Sequence, residues 1–196
     1  MKNFLKVLAV VSFLNVTIVA ADPLMQYDYL DAAYQWTHID EEGVDDANGL
    51  DTKFSFSPME YLAVEAGYNY AATGAAGIDV ALNTFGYGIA GWYDICQNFH
   101  LVGRVGGLHQ DIDVEKDLPN DAEDGVYAGA QLRYLFTDTF EGDLDVTYVH
   151  LGGETIWNYG LTGLLTLTDG IALKVGSSIT DDSDVSVLGG FRFALS

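Results

Sequence analysis

Five cationic side chains, Lys53, Arg104, Arg133, Lys174 and Arg192, fall on the polar phase of segments that alternate apolar and polar residues. Asp31, Glu65, Glu141, Asp143 and Asp145 fall on the same phase. Charges of both signs on one side of a sheet have a direct chemistry, mutual neutralisation, because an unpaired charge in a narrow interior is costly. A second group is acidic only: Asp40, Glu41, Glu42, Asp45 and Asp46; then Asp111, Asp113, Glu115, Asp117, Asp121, Glu123 and Asp124; then Asp181, Asp182 and Asp184. Such a rim could hold divalent cations, which take oxygen ligands. Asp111-Ile112-Asp113-Val114-Glu115 opens like a calcium loop. Lys116 then stands where that loop needs Gly, and Ala122 where it needs a bidentate Glu. A hydrated acidic rim is the better reading.

Histidine is the other source of chemistry. His38, His109 and His150 share a height near one end of the alternating segments, and His100 lies near the other. Hydrolysis would need a hydroxyl or acid paired with His in a defined groove. No His-x-Ser pair occurs, and His150 is followed by Leu151-Gly152. No catalytic, cofactor-binding or metal-binding residue is assigned, and no cofactor is expected.

These side chains need strands to place them. Leu30, Ala32, Tyr34 and Trp36 alternate with Asp31, Ala33, Gln35 and Thr37, a period of two that specifies a strand. The same alternation sets Phe54 and Phe56 against Lys53 and Ser55, and Leu62 through Tyr70 against Ala63, Glu65, Gly67 and Asn69. It recurs over 83–93, 99–109, 128–136, 140–148, 157–167, 171–179 and 185–195. The count is ten strands, with eight as the alternative. Connections near Pro58, Ile95, Asp138 and Asp169 are short, and those at 39–48, 71–78, 111–125, 150–155 and 180–184 are mostly longer. Aromatics sort into two bands. Phe56, Tyr61, Trp92, Phe99, Phe136, Phe140, Phe191 and Phe193 lie towards the short turns, and Trp36, Tyr68, Tyr70, Tyr148, Trp157 and Tyr159 towards the longer connections. Two girdles at two interfaces are what amphipathic rings prefer in a membrane. The expectation is an all-β, transmembrane, antiparallel up-and-down barrel, apolar outside and charged inside. A soluble secreted barrel, with an apolar interior, is the rival.

The start of the chain fits export. Lys2 and Lys6 precede an apolar run through Val19, and Val19-Ala20-Ala21 supplies the small residues of a cleavage site. Residues 1–21 read as a secretory signal peptide and 22–196 as one barrel domain. No later run approaches the ~18 apolar residues of a spanning helix. Cys96 is the sole cysteine, so no internal disulfide forms. Lys2 and Lys6 leave with the signal, so six basic residues face 29 acids in the mature chain, a formal charge of −23. That sign excludes nucleic acid as a partner.

Gly190-Phe191-Arg192-Phe193-Ala194-Leu195 resembles the terminal strand of Gram-negative outer-membrane proteins. The signal, Tyr27-Asp28-Tyr29-Leu30-Asp31 and the acidic connections are similar to small OmpA/OmpX-type barrels. The chain departs by ending in Leu195-Ser196 and by placing Leu188 where a polar residue is favoured. The resemblance covers essentially the whole mature chain. It implies an outer-membrane address, contact with membrane lipid and lipopolysaccharide, and recognition of the last strand by the barrel-insertion machinery. Three functions remain open at this point. They are a structural or surface-interaction barrel with a side-chain-filled lumen, whose acidic rim could take divalent cations; a narrow channel for ions or small solutes; and an enzyme acting on surface lipid or peptide.

Overall fold

The computed structural model describes residues 27–41, 43–75, 78–114 and 121–195. The expected signal segment lies outside them, as do Glu42, Glu115, Lys116 and Asp117. Ten strands follow in order: β1 (Tyr29–His38), β2 (Ala47–Met59), β3 (Leu62–Ala75), β4 (Ile78–Cys96), β5 (Phe99–Val114), β6 (Asp121–Thr137), β7 (Phe140–Leu151), β8 (Glu154–Thr168), β9 (Ile171–Thr180) and β10 (Val185–Ala194). Each pairs antiparallel with its neighbours, and β1 pairs with β10, closing the barrel. The proximal end holds residues 27 and 195 and the two-residue turns at 60–61, 97–98, 138–139 and 169–170. The distal end holds the other connections.

Strand phase decides what each residue meets. On β1, Leu30, Tyr34 and Trp36 are exposed, while Tyr29, Asp31, Ala33, Gln35 and Thr37 are buried. The same division runs round the barrel: Phe54, Val64, Tyr87, Val105, Leu132, Leu144, Leu161, Val175 and Phe191 all face out. Lys53, Glu65, Arg104, Arg133, Asp143, Lys174 and Arg192 are all buried inside. A soluble barrel would reverse this arrangement.

Several connections that read as long in the sequence are strand. Residues 71–75, 111–114, 121–125, 150–151 and 154–155 extend the ladders, leaving 152–153 as a two-residue link between β7 and β8. Gly152 and Gly153 have φ of +58° and +87°. Positive φ at both central residues is what a tight hairpin turn demands. The misreading has a physical cause, a change of solvent part-way along the strands. Beyond Phe85 on β4, the outward positions become Asn83 and Asp79, while the inward ones become Leu82 and Val80. Beyond Val105 on β5, His109, Asp111 and Asp113 face out and Leu108 and Ile112 face in. The distal wall therefore follows the ordinary rule for water, and the middle of the barrel follows the opposite one. Alternation persists, but its sign flips. Asp111 and Asp113 stand on one face of an extended strand, so they cannot wrap round an ion as a calcium loop does.

The closing seam pairs Tyr29 with Ala194 through His38 with Val185. Gly190 sits opposite Ala33, and a Cβ there would collide with the backbone of Ala32 and Ala33. Gly189, one residue earlier, faces open space. Gly190→Val should therefore block closure while Gly189→Ala is tolerated. Refolding each variant into detergent and comparing boiled with unboiled gel mobility checks this. Equal yields of the compact form from both would refute the seam argument.

The charged lumen and its two apolar ends

The inward phase builds a layered interior. Asp31 is fully buried in it. It accepts hydrogen bonds from Arg192 Nε and Nη2, both at 2.6 Å, and from Lys174 Nζ at 2.9 Å. The guanidinium of Arg192 also lies 3.9 Å from the centre of the Tyr29 ring, within cation–π range. One carboxylate thus ties β1 to β10 and β9 across the seam. Forked Arg–carboxylate bonds are the directional kind that fix geometry as well as charge.

Lys53 meets Glu65 at 3.0 Å, both shielded from solvent. Arg133 contacts Glu141 and reaches Asp143 at 3.4 Å. Arg104 lies against Gly129, where an added Cβ would come within 3.1 Å of its Nε. Glycine on the inward phase thus leaves the space that a long side chain fills. Above the charges lies a neutral belt: Asn69 donates to Gln35 at 3.0 Å, Gln35 to Thr37 at 3.0 Å, and Thr37 pairs with Ser186 at 2.9 Å. Gln110 donates to Thr84 at 2.8 Å.

All five predicted inward cations and all five predicted inward acids have inward positions. The sequence reading omitted Asp51, fully buried beside them and 4.0 Å from Lys174 Nζ. The signal was present, since Asp51 shares the phase of Lys53. Trp92 is a correction. Its place in the aromatic band towards the short turns predicts a lipid-facing ring, but it turns inward and stacks on Tyr27, with Ala63, Ala90 and Val102 alongside. The phase of β4 is carried by Tyr87 and Ile89 outward and Ala90 inward, which puts position 92 inside. These residues form an apolar layer at the proximal end.

At the distal end two further apolar clusters face inward. One contains Ile39, Ala47, Val80, Leu82 and Ile112; the other contains Leu108, Tyr127, Val149, Leu151 and Ile156. Asp184 closes the arc beside β9 and β10. It is buried, accepts the Asp40 amide at 2.9 Å, and its own amide donates to Thr180 Oγ1 at 3.1 Å. Burial raises the pKa of this carboxyl, against the lowering effect of the Asp40 amide, and the nearby Asp182, Asp40 and Glu41 add to the rise.

The histidines are scattered. His38 pairs with Asp46 at 2.8 Å, His109 with Asp124 at 2.8 Å, and His150 with Thr155 at 3.1 Å, all on the open outer wall of the distal end. His100 alone turns inward, 3.4 Å from Asp94. None is joined to a hydroxyl and an acid in a closed groove. Among the described residues, no group of three His, Cys, Asp or Glu side chains is placed to hold a metal ion. A shallow groove of about 770 Å³ lies on the distal wall, lined by Asp46, Asn48, Tyr70, Ala72, Asp79 and Asp113.

Two outcomes follow from the ion-pair geometry. Asp31→Asn leaves Lys174 and Arg192 buried without their shared counter-charge, and should cost about 3–5 kcal/mol in urea unfolding from micelles. A loss below about 1 kcal/mol, the value of an exposed pair, would show that the seam does not depend on it. Asp184 has the opposite sense. A raised folded-state pKa favours the fold at low pH, and that contribution is lost as pH rises through the folded value. Asp184→Asn, which keeps the acceptor oxygen, should match or exceed the parent's thermal midpoint at neutral pH, with the gap closing on acidification. A gap that widens on acidification would contradict the burial argument.

Comparison with known proteins agrees with this architecture. The fold is similar to the translocator domain of the autotransporter NalP from Neisseria meningitidis, with a TM-score of 0.50 at 10% identity, covering 99% of this chain and 95% of that one. Ail, the attachment invasion locus protein of Yersinia pestis, matches at 0.44 and 15%, covering 86% and 100%. The KdgM porin matches at 0.48 and 8%, covering 86% and 99%. No curated protein sequence matches significantly. Residues 7–176 match the family model of the outer membrane protein beta-barrel domain. An apolar outside, a paired interior and a sheet closed on itself are thus the properties of a chain that belongs to the outer membrane beta-barrel family.

Proposed function

We propose that this barrel is a closed structural and surface-contact protein of a Gram-negative outer membrane, exported by a signal peptide cleaved near Ala21. The observation that carries the reading is the lumen. Its buried charges are paired across strands, and its side chains occupy the space a wide pore would need. The distal end is the outer one on this reading, because its walls extend past the apolar belt and turn acid to the solvent.

That acidic wall supports a partner class. Asp46, Asp79 and Asp113 line the distal groove, and Asp111 and Asp124 stand exposed near it in the sheet. A single carboxylate there can share a divalent cation with a lipopolysaccharide phosphate, with no need for a complete protein cage. The last strand, with Phe191 and Phe193 outward, is the segment offered to the insertion machinery. Catalysis has no place in this reading, since the histidine pairs stand on open wall. A narrow channel is the second reading. It is favoured by buried polar atoms with no hydrogen-bond partner, including Ser55 Oγ and both amide atoms of Gln131.

Fractionation followed by gels of boiled and unboiled samples tests the assignment. The protein should sediment with outer membranes and run faster before boiling. A soluble fraction without heat-dependent mobility would overturn it. Adding magnesium to barrels reconstituted with lipopolysaccharide should raise the thermal midpoint, and the rise should shrink in Asp46→Asn/Asp79→Asn/Asp113→Asn. An equal rise without lipopolysaccharide would argue against cation bridging.

A further inference from the structure

We propose that the lumen is closed by its two apolar end layers, and that the charged network between them is a wet compartment rather than the seal. The inference rests on the reading of a non-conducting barrel and says where the closure resides. Ions are excluded most strongly where a passage offers them no polar partner, because an apolar constriction sheds its water. The polar middle does not have that property. Ser55 Oγ and the Gln131 amide are buried, aimed inward and without a hydrogen-bond partner. Such groups are satisfied by water wherever space allows.

The ends differ. Leu82 is 0% and Ile112 2% exposed, and they pack with Ile39, Ala47 and Val80 across one half of the distal mouth. Val149, Leu151 and Ile156 pack with Leu108 on the β5–β8 side. Both clusters consist largely of strand residues whose opposite phase already faces water, so the layer is part of the ladder itself. At the proximal mouth, Tyr27 stacks on Trp92 over Ala63. A solute leaving the charged middle in either direction passes apolar side chains, and at the distal mouth Asp184 and Thr180 complete the ring on the β9–β10 side.

Ser55 reports on this compartment. It lies between Tyr29 and Glu65 in register and is fully buried. In a Cys96→Ser background, Ser55→Cys would be exposed to a membrane-impermeant cationic methanethiosulfonate, added to either side of oriented proteoliposomes. The parent should resist labelling from both sides. Leu82→Ala/Ile112→Ala should admit the reagent from the distal side, and Trp92→Ala from the proximal side, each raising the labelling rate by about tenfold or more. Lys53→Met/Glu65→Gln, which removes a central ion pair and leaves both layers intact, should stay protected. Heat-dependent gel mobility confirms that each variant is folded, and Leu82→Val/Ile112→Val replaces the alanine pair if that one is not. Discrete conductance or ready labelling in the parent would overturn the closed-barrel reading itself. A protected parent whose layer variants also stay protected, or whose charge-pair variant becomes labelled, would overturn the assignment of the seal.

Discussion

A peptide group in hydrocarbon can bond only to another peptide group, and the rest of this structure depends on that constraint. An open sheet would leave two rows of N–H and C=O groups facing lipid, each costing several kcal/mol. Pairing β1 with β10 removes both rows. The seam is the least local contact in the molecule, joining residues near 30 to residues near 190, and the chain reinforces it in two ways. Gly190 lets the backbones approach, and Asp31 draws Arg192 and Lys174 to one point inside. Closure and charge pairing are therefore one event. The acid that bonds both Arg192 and Lys174 also joins the first strand to the last two.

Once the sheet is closed, each strand has two solvents on its two faces, and the identity of those solvents changes with height. Through the membrane the outside is lipid and the inside is a narrow polar space. Above it, the outside is water. The distal halves of β4 and β5 answer by exchanging phases, acids outward and Leu82, Val80, Leu108 and Ile112 inward. The inversion gives the barrel an apolar layer over a charged middle. Most of the buried carboxylates lie in the middle with cations within reach, whereas Asp184 at the distal end is held by the Asp40 amide and Thr180 instead.

Much of this was legible in the residues. The faces of β1, β3, β6, β7 and β8 followed from alternation alone, because a strand has no other way to divide its side chains. The lumen cations could be named because each sat mid-strand opposite apolar neighbours. Other features were harder to see. The acids at 111–124 looked like loop, since charge in a run with turn-forming neighbours usually marks one. Only the neighbouring strands show that Asp111 and Asp113 belong to a ladder. Trp92 follows a stretch whose glycines blur the phase, so alternation alone does not give the side its ring takes. Tyr27 preceded the first clear alternation, and nothing local pointed it into the lumen.

The sequence by itself determined the class of the fold and, for most strands, which residues face in and which face out. That information is local, a period of two imposed by backbone geometry. Only the tertiary structure decided height and partnership. Whether Asp31 meets Lys174 or Lys53, whether Asp51 is pinned, and whether Leu82 lies level with Ile112 depend on the stagger between strands, which closure fixes for the whole barrel at once. Five cations and five acids on one phase are readable in the sequence as a neutral set. Its wiring, and the apolar layers that close over it, came from a register no single strand carries.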